Sequence, residues 1–295
     1  MSLFNNGKQG YYYGNYNYYN SKNTYGTEKD INHGNDIKVI GHALNFASRE
    51  AYKQLRTNLD FSLADVEGCR CIGITSPMRG DGKSLTAINL SFSLAEDGYK
   101  VLLIEGDMRI PTIARKMNLD KKIGLSNILS STDSFYKMDI IDVGDDTQEK
   151  FNLVIAGSIP PNPQELLGSK RMAELIEFLK KKYDYIILDL PPVTAVADAL
   201  VASKILDGML LIVRHDHTER GALSESIRQL EFSGIRILGF VFNAANNDDS
   251  GYSRRYKYRY RRYKSYRYGY NSYNNGYYRQ EKESDRPSYT SDTGN

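Results

Sequence analysis

The stretch Ser76-Pro77-Met78-Arg79-Gly80-Asp81-Gly82-Lys83-Ser84 decides the fold of this chain. An apolar run, Cys71-Ile72-Gly73-Ile74-Thr75, precedes it, and a helical pattern from Leu85 to Glu96 follows it. A strand, a glycine-bearing loop, Gly-Lys-Ser and a helix predict a cradle in which backbone N–H groups and a helix N-terminus face a phosphate. In such a cradle Lys83 contacts the β- and γ-phosphates, and the Ser84 hydroxyl binds a magnesium ion.

The loop alone could also be an ordinary glycine turn, because Pro77 stands where the usual spacing has glycine. Two later segments strengthen the phosphate-binding interpretation. Val101-Leu102-Leu103-Ile104 runs into Glu105-Gly106-Asp107-Met108-Arg109, and Tyr185-Ile186-Ile187-Leu188 runs into Asp189-Leu190-Pro191-Pro192. Continuous apolar runs are typical of buried parallel strands, and ligands bind at the carboxyl ends of such strands. Carboxylates at two strand ends beside a phosphate loop predict a magnesium–nucleotide site.

The composition predicts one folded domain between two tails. Residues 1–36 contain seven tyrosines, and residues 251–295 contain twelve tyrosines but no Leu, Ile, Val, Met or Phe. Such segments bury too little apolar surface to offset the entropy of ordering, so we predict disordered tails at 1–36 and 250–295 and one folded domain at 37–249. Residues 250–295 carry eleven Lys/Arg and four Asp/Glu, which is +7, so the overall charge of +3 leaves −4 for the rest. The basic character belongs to the C-terminal tail, which indicates a charged interaction arm.

Cysteine and hydropathy patterns exclude other classes. Cys69 and Cys71 are one residue apart, and no second pair exists to build a zinc site, so we expect ordinary strand residues in a reducing compartment. No stretch approaches the roughly twenty apolar residues that span a bilayer, and the N-terminus lacks a signal pattern. We therefore expect a cytoplasmic protein that reaches a membrane only through a partner or its tails.

Strand and helix patterns alternate through the domain and predict an α/β fold with a parallel sheet flanked by helices. The predicted strands are 70–75, 101–106, 151–156, 185–190, 208–213 and 236–242. The predicted helices are 48–63, 83–97, 112–117, 124–130, 164–182, 197–206 and 219–233. Residues 131–150 are expected to be irregular.

Taken together, four segments resemble the bacterial tyrosine kinases (BY-kinases) that accompany capsule and exopolysaccharide assembly. They are the phosphate loop with its proline, the strand ending Glu105-x-Asp107-x-Arg109-x-Pro111 (similar to the family's second Walker A element), Ile186-Ile187-Leu188-Asp189-x-Pro191-Pro192 (its Walker B), and Gly157-x-x-Pro160-Pro161-Asn162-Pro163-x-Glu165-Leu166-Leu167. The tyrosine-rich C-terminal tail completes the pattern. The resemblance implies a P-loop NTPase-like fold and an ATP- and Mg²⁺-dependent protein-tyrosine autokinase that regulates polysaccharide synthesis.

The resemblance also implies roles for individual residues. Lys83, Glu105, Asp107 and Asp189 would be catalytic, and Ser84, Asp107 and Asp189 would hold magnesium. The nucleotide would contact a larger set, namely Arg79, Gly80, Asp81, Gly82, Lys83, Ser84, Leu85, Arg109 and Asn243.

Several of these roles stay open. The family usually has aspartate at position 105, so Glu105 could serve as a base or as metal support. Arg109 could stabilise phosphate charge or anchor its strand end through an ion pair, and Asn243 could contact the purine or merely end a strand. For Asp198 we expect capping of the 197–206 helix. For His215 and His217 we expect solvated loop residues in place of a metal site.

The C-terminal tail is the expected phosphate acceptor, because a tethered segment raises the local concentration of its own hydroxyl groups. The candidate acceptors are Tyr256, Tyr258, Tyr260, Tyr263, Tyr266, Tyr268 and Tyr270. Alternating basic and aromatic residues also suit stacking on single-stranded nucleic acid, which is the competing interpretation; no specific nucleic acid is expected. Each phosphate adds about −1.5 to −2 charges, so roughly four or five would cancel the tail's charge and could release it from an anionic surface.

Glu50-Ala51-Tyr52-Lys53-Gln54-Leu55-Arg56 resembles the family's E-x-x-R-x-x-R self-association motif, with Lys53 replacing its first arginine. Glu50, Lys53 and Arg56 share one helix face and could contact a partner subunit in a ring; ion pairs along the helix's own surface are the alternative. By resemblance the other partners would be a transmembrane adaptor of the polysaccharide co-polymerase type, which recruits the kinase to the inner face of the membrane, and a cognate tyrosine phosphatase.

Two alternatives belong to other functional classes. The related septum-placement and plasmid-partition ATPases (MinD and ParA types) carry a second lysine in the phosphate loop, where this chain has Met78. A nucleotide-gated scaffold with weak catalysis is the third class, in which Glu105 would have blunted phosphoryl transfer.

Overall fold

A computed structural model of the chain describes residues 13–16, 41–120, 122–144 and 150–244. Within these residues eight strands form one sheet: β1 Tyr13–Tyr16, β2 Arg70–Thr75, β3 Val101–Glu105, β4 Ile141–Val143, β5 Phe151–Val154, β6 Tyr185–Asp189, β7 Gly208–Arg214 and β8 Ile237–Asn243. The strand order is β1-β8-β7-β2-β6-β3-β5-β4. Neighbouring strands run parallel except β4 and β5, which are antiparallel.

Eight α-helices connect and cover these strands: α1 Phe46–Ser62, α2 Lys83–Glu96, α3 Ile113–Lys116, α4 Leu125–Ser130, α5 Pro163–Leu167, α6 Lys170–Lys180, α7 Asp198–Ala202 and α8 Arg220–Phe232. Short 3₁₀ turns occupy Gly41–Ala43, Phe135–Lys137 and Ser203–Ile205. The predicted α/β class, a sheet flanked by helices, is confirmed.

Helices cover both faces of the sheet because successive side chains of a strand point to opposite faces. One apolar core combines alternate strand residues such as Ile72 and Leu103 with side chains of α1 and α2, for example Leu59. The other core combines residues such as Leu102 and Ile186 with side chains of α4 to α8. The central strands are buried on both faces, which explains their continuous apolar sequences.

The structure corrects two of the predicted elements. Residues 131–150 contain β4, which pairs with β5 at the sheet edge through Ile141 opposite Leu153. The predicted helix 164–182 is two helices, because Gly168 is the C-cap of α5 and Ser169 caps α6 by accepting from the N–H of Met172. Residues 13–16, within the expected N-terminal tail, form β1, which pairs with β8.

Much of the predicted tails lies outside the described residues. This holds for residues 1–12 and 17–40 and for everything after Ala244, including all seven candidate acceptor tyrosines. The tail and domain boundaries therefore stay predictions. Among the described residues no helix combines the length and the apolarity that crossing a bilayer requires.

Candidate nucleotide site

The phosphate loop joins β2 to α2 in the middle of the sheet, between the carboxyl ends of β6 and β7. Gly80 and Gly82 have φ angles of +88° and +100°, which side chains with a Cβ rarely adopt, and Gly82 is the N-cap of α2. A loop that alternates between left- and right-handed backbone, followed by a helix start, presents several N–H groups to one point. This geometry is suited to a phosphate.

Three predicted catalytic side chains meet beside this loop. Lys83 Nζ lies 2.8 Å from Asp107 Oδ2 and 3.5 Å from Asp189 Oδ1, and 3.5 Å from the hydroxyl of Ser84. All four are largely buried, and Asp189 is only 1% exposed. Burial opposes the charge on Lys83, but the two carboxylates outweigh it and the pKa of Lys83 is raised. The pKa of Asp189 is also raised, because burial disfavours its charged form more than Lys83 favours it.

The oxygen atoms at this point fit a magnesium ion. Asp189 Oδ2 is buried and has no hydrogen-bond partner among the described residues, although buried polar atoms are normally paired. Mg²⁺ prefers oxygen ligands and is usually held by one or two carboxylates, with substrate phosphates and water completing the shell. Asp107, Asp189 and Ser84 supply such a set. Within the described ranges, no cluster of three or more Asp, Glu, His or Cys side chains could hold a metal ion without other ligands.

Glu105 has a different environment from the other carboxylates. Its Oε1 accepts from the N–H groups of Thr112 and Ile113 at 2.6 Å, and its Oε2 accepts from Ala156 N–H at 3.0 Å. Burial raises the pKa of Glu105, while these backbone donors stabilise its charge. The side chain thus ties the end of β3 to the start of α3 and to the segment after β5. Both carboxylate oxygens are occupied by these contacts, which disfavours the expected roles as base or metal support.

Arg109 forms the ion pair that was one of its two expected roles. Its Nε and Nη2 donate to the two oxygens of Asp198, each at 2.9 Å, and Asp198 is fully buried. The expected capping role of Asp198 is wrong: Ala197 is the N-cap of α7, and no side chain caps that helix. A carboxylate in the first helical turn still interacts favourably with the helix dipole.

The remaining predicted nucleotide contacts lie in or against the loop. Arg79 is exposed, and Leu85 is half-buried in the first turn of α2. Asp81 is buried, with its carboxylate accepting from Met78 N–H at 2.8 Å and from the Thr218 hydroxyl at 2.7 Å. Asn243, at the end of β8, donates to the carbonyl of Asp81 at 2.8 Å. The amide therefore supports the loop, whichever group contacts the purine.

The segment after β7 also contacts the phosphate loop, which the sequence interpretation missed. Arg214 Nη1 donates to the carbonyl of Gly80 at 2.9 Å, and His217 Nε2 lies 2.7 Å from the carbonyl of Arg79. His217 is exposed, as expected for a loop residue, although it also contacts the phosphate loop, and His215 packs edge-on against Phe242. The signal was available, because polar residues follow a parallel strand that neighbours β2.

The expected self-association motif lies on α1 and contacts α2 of the same chain. Arg56 donates to the Ser93 carbonyl at 2.5 Å and pairs with Asp97 at 3.0 Å. Lys53 lies 3.4 Å from Glu50 and 3.9 Å from Glu96. The Lys53–Glu50 contact is an ion pair along the helix's own surface, which was the alternative, whereas the other contacts join α1 to α2 and its C-cap. Self-association stays a prediction.

Comparisons with known proteins point in one direction. The family model described as an AAA domain matches residues 69–217. The chain is 36% identical over 194 residues to tyrosine-protein kinase YwqD of Bacillus subtilis, covering 66% of this chain and 80% of that protein. It is 33% identical over 223 residues to tyrosine-protein kinase CpsD of Streptococcus agalactiae, covering 73% and 91%. By contrast, it spans 28% of the putative tyrosine-protein kinase EpsB of Ralstonia solanacearum.

Solved structures agree with these relatives. The chimerical protein CapA2B2 superposes with a TM-score of 0.63 at 30% identity, covering 72% of this chain and 91% of that one. The septum site-determining protein MinD of Pyrococcus horikoshii, complexed with Mg-ADP, gives a TM-score of 0.50 at 25% identity over 61% of this chain and 72% of that one. CapA2B2 and MinD share a P-loop fold, and in the MinD structure this fold binds Mg-ADP.

Proposed function

Because the chain belongs to the bacterial tyrosine kinase family, we propose that it transfers the γ-phosphoryl group of ATP to tyrosines of its own C-terminal segment, between subunits, and thereby regulates capsule or exopolysaccharide synthesis. The observation that carries this proposal is the meeting of Lys83, Asp107 and Asp189 at three strand ends, with one oxygen of Asp189 left without a partner. That arrangement suits a metal-bound triphosphate.

Phosphoryl transfer asks mainly for positioning and for neutralisation of the charge on the transferring group. Lys83 Nζ would contact the β- and γ-phosphates, and the backbone N–H groups of residues 79–83 would surround them. Ser84, Asp107 and Asp189 would hold Mg²⁺, which when bound neutralises charge on the phosphate oxygens. Glu105 acts by position, since its carboxylate holds the backbone on either side of the β3 end. Arg109 keeps α7 against the same edge through Asp198.

The acceptor is the tyrosine cluster from Tyr256 to Tyr270. It follows β8, whose carboxyl end lies at the same edge of the sheet as the phosphate loop. A tethered acceptor needs no dedicated pocket, because the tether supplies its effective concentration. The net charge of +7 would be cancelled by roughly four or five phosphates, which gives phosphorylation a means to release the segment from anionic partners.

Assembly and partners are part of the same proposal. A ring of subunits would use the α1 face that carries Glu50, Lys53 and Arg56, where Glu50 is the most exposed of the three. A membrane adaptor would order the nucleotide site and bring the kinase to the inner membrane face; the fusion of two proteins in the CapA2B2 chimera supports a search for one. A cognate phosphatase would reset the tail.

Two other functions predict different outcomes. A positioning ATPase of the MinD type would hydrolyse ATP without labelling tyrosine, but the loop has Met78 where the resemblance implies a second lysine for that type. A scaffold with weak catalysis would bind ATP and leave its tyrosines unmodified.

The test incubates the full chain with Mg-ATP and a cytoplasmic adaptor fragment, and maps phosphotyrosine by mass spectrometry. Lys83→Met should abolish the signal, whereas Lys204→Met, at an exposed position in the 3₁₀ turn after α7, should not. Replacing the tyrosines across 252–278 by Phe should remove most label and spare ATP binding. A preparation that binds ATP, with the adaptor fragment present, and never labels tyrosine would refute the proposal.

A further inference from the structure

Five consecutive carbonyl oxygens of the phosphate loop each bond a side chain, and we call these contacts the carbonyl collar. The bonds are Thr194 Oγ1 to Pro77 O (2.6 Å), Ser76 Oγ to Met78 O (2.8 Å), His217 Nε2 to Arg79 O (2.7 Å), Arg214 Nη1 to Gly80 O (2.9 Å) and Asn243 Nδ2 to Asp81 O (2.8 Å). Since a carbonyl oxygen only accepts, the proton sits on Nε2 of His217. Four of the donors come from the ends of β6, β7 and β8.

The collar fixes the direction of the N–H groups in the loop. In a trans peptide the carbonyl of one residue and the N–H of the next point to opposite sides. Holding the carbonyls of residues 77–81 outward therefore turns the N–H groups of residues 78–82 the other way. The N–H of Met78 donates to Asp81, while those of residues 79–82 have no acceptor in the described part of the chain. Four adjacent free donors form an anion-binding concavity.

The loop glycines are also explained by the collar. A Cβ on Gly82 would lie 2.1 Å from Asn243 Nδ2, and a Cβ on Gly80 would lie 3.1 Å from His217 Nε2. Both glycines thus leave room for a collar donor outside the loop, in addition to allowing the positive φ angles. A second link exists through Thr218, which donates to the buried carboxylate of Asp81.

We propose that Arg214 and His217 are positioning residues for phosphate binding: they act on the loop carbonyls, and through the peptide planes they preorganise the N–H groups that receive the phosphates. Preorganised donors avoid the cost of ordering the loop when the anion arrives. The inference rests on the proposed function only in placing phosphates in this loop.

Glutamine separates the hydrogen bond from the charge, because it keeps an N–H donor and carries no charge. The variants are Arg214→Gln against Arg214→Met, and His217→Gln against His217→Ala, all in the full chain. His215→Ala is the matched control, since this neighbouring histidine contacts Asp216 and Phe242 and has no bond to the loop. Affinities for Mg-ATP and for inorganic pyrophosphate are measured by calorimetry, with a thermal melt of each variant.

Arg214→Met and His217→Ala should each weaken both ligands by about 3- to 10-fold, the worth of one hydrogen bond, and the double variant by roughly 10- to 100-fold. The glutamine variants should regain most of the loss, and His215→Ala should bind like the unmodified chain.

Unchanged pyrophosphate affinity in the double variant, or losses no larger than in His215→Ala, would overturn the inference, as would an unmodified chain that binds no pyrophosphate. If Arg214→Gln fails like Arg214→Met, the Arg214 charge is what matters and its positioning role is wrong. Failure of the kinase proposal looks different: tyrosine stays unlabelled while the affinity differences persist.

Discussion

Replacing Glu105 by glutamine tests whether this residue acts by position or by chemistry. Glutamine keeps the shape but has one acceptor oxygen, whereas the carboxylate serves the N–H groups of Thr112 and Ile113 with one oxygen and that of Ala156 with the other. In the Glu105→Gln protein, the backbone N–H groups on one side must therefore face the amide N–H₂ group, which is a donor and cannot accept from them. A buried donor left without an acceptor costs about 1–3 kcal/mol. Removing a buried charge offsets part of this, so we expect unfolding to require about 2 kcal/mol less.

Urea denaturation of the full chain, followed by circular dichroism, measures that loss. With a slope of about 2 kcal/mol per molar urea, the midpoint should fall by roughly 1 M at an unchanged slope. Glu174→Gln on the exposed face of α6 is the control, and surface changes of this kind stay within about 0.5 kcal/mol. A Glu105→Gln protein that unfolds at the original midpoint yet forms no phosphotyrosine would refute the positional role and restore the catalytic one.

Three further outcomes are expected. Gly82→Ala should lower the unfolding free energy by about 1–2 kcal/mol and weaken Mg-ATP binding, because φ at this position is +100° and the new Cβ would meet Asn243. A thermal melt and a nucleotide titration on one sample check this, and unchanged stability would contradict it. Arg109→Ala leaves the buried carboxylate of Asp198 without its partner and should cost about 3 kcal/mol, whereas Asp198→Asn in the same background should recover part of that loss in urea denaturation. Burial raises the pKa of Cys69 to about 12, so at pH 8 it should react with iodoacetamide far more slowly in the folded chain than in urea. Because the pKa of Cys69 is higher in the folded chain than in the unfolded one, its contribution to the unfolding free energy should decrease as the pH rises above about 9. Rapid alkylation of Cys69 in the native protein would contradict the raised pKa.

The sequence allowed much of the sheet to be predicted, because its central strands are buried on both faces. β2 was predicted as 70–75 and is observed as Arg70–Thr75, and the Asp107 and Asp189 carboxylates meet beside Lys83 as their strand-end positions implied. β4 was missed because a three-residue edge strand has little apolar periodicity to detect. The break at Gly168, the C-cap of α5, and Ser169, the N-cap of α6, was also missed.

Side-chain partners across the site were harder to predict than positions. Arg109 and Asp198 are 89 residues apart, so neither local pattern indicates the pair. His217 was predicted to be a solvated loop residue because no third metal ligand lies nearby, and it is exposed. Its contact with the phosphate loop was not predicted, since its partner is a backbone carbonyl that the sequence does not distinguish from others. Local patterns identify which residues reach the edge of the sheet, while the packing of neighbouring strands decides which atoms they meet.

The ion pairs of Lys83 couple the binding of the metal ion to the binding of the nucleotide. A single ammonium group cannot neutralise Asp107 and Asp189 and also bind a triphosphate with full strength. When Lys83 turns to the nucleotide, two buried carboxylates lose their counter-charge, which is costly unless another cation replaces it. Metal and nucleotide should therefore bind cooperatively, and ATP stripped of divalent ions should be a poor ligand for this site.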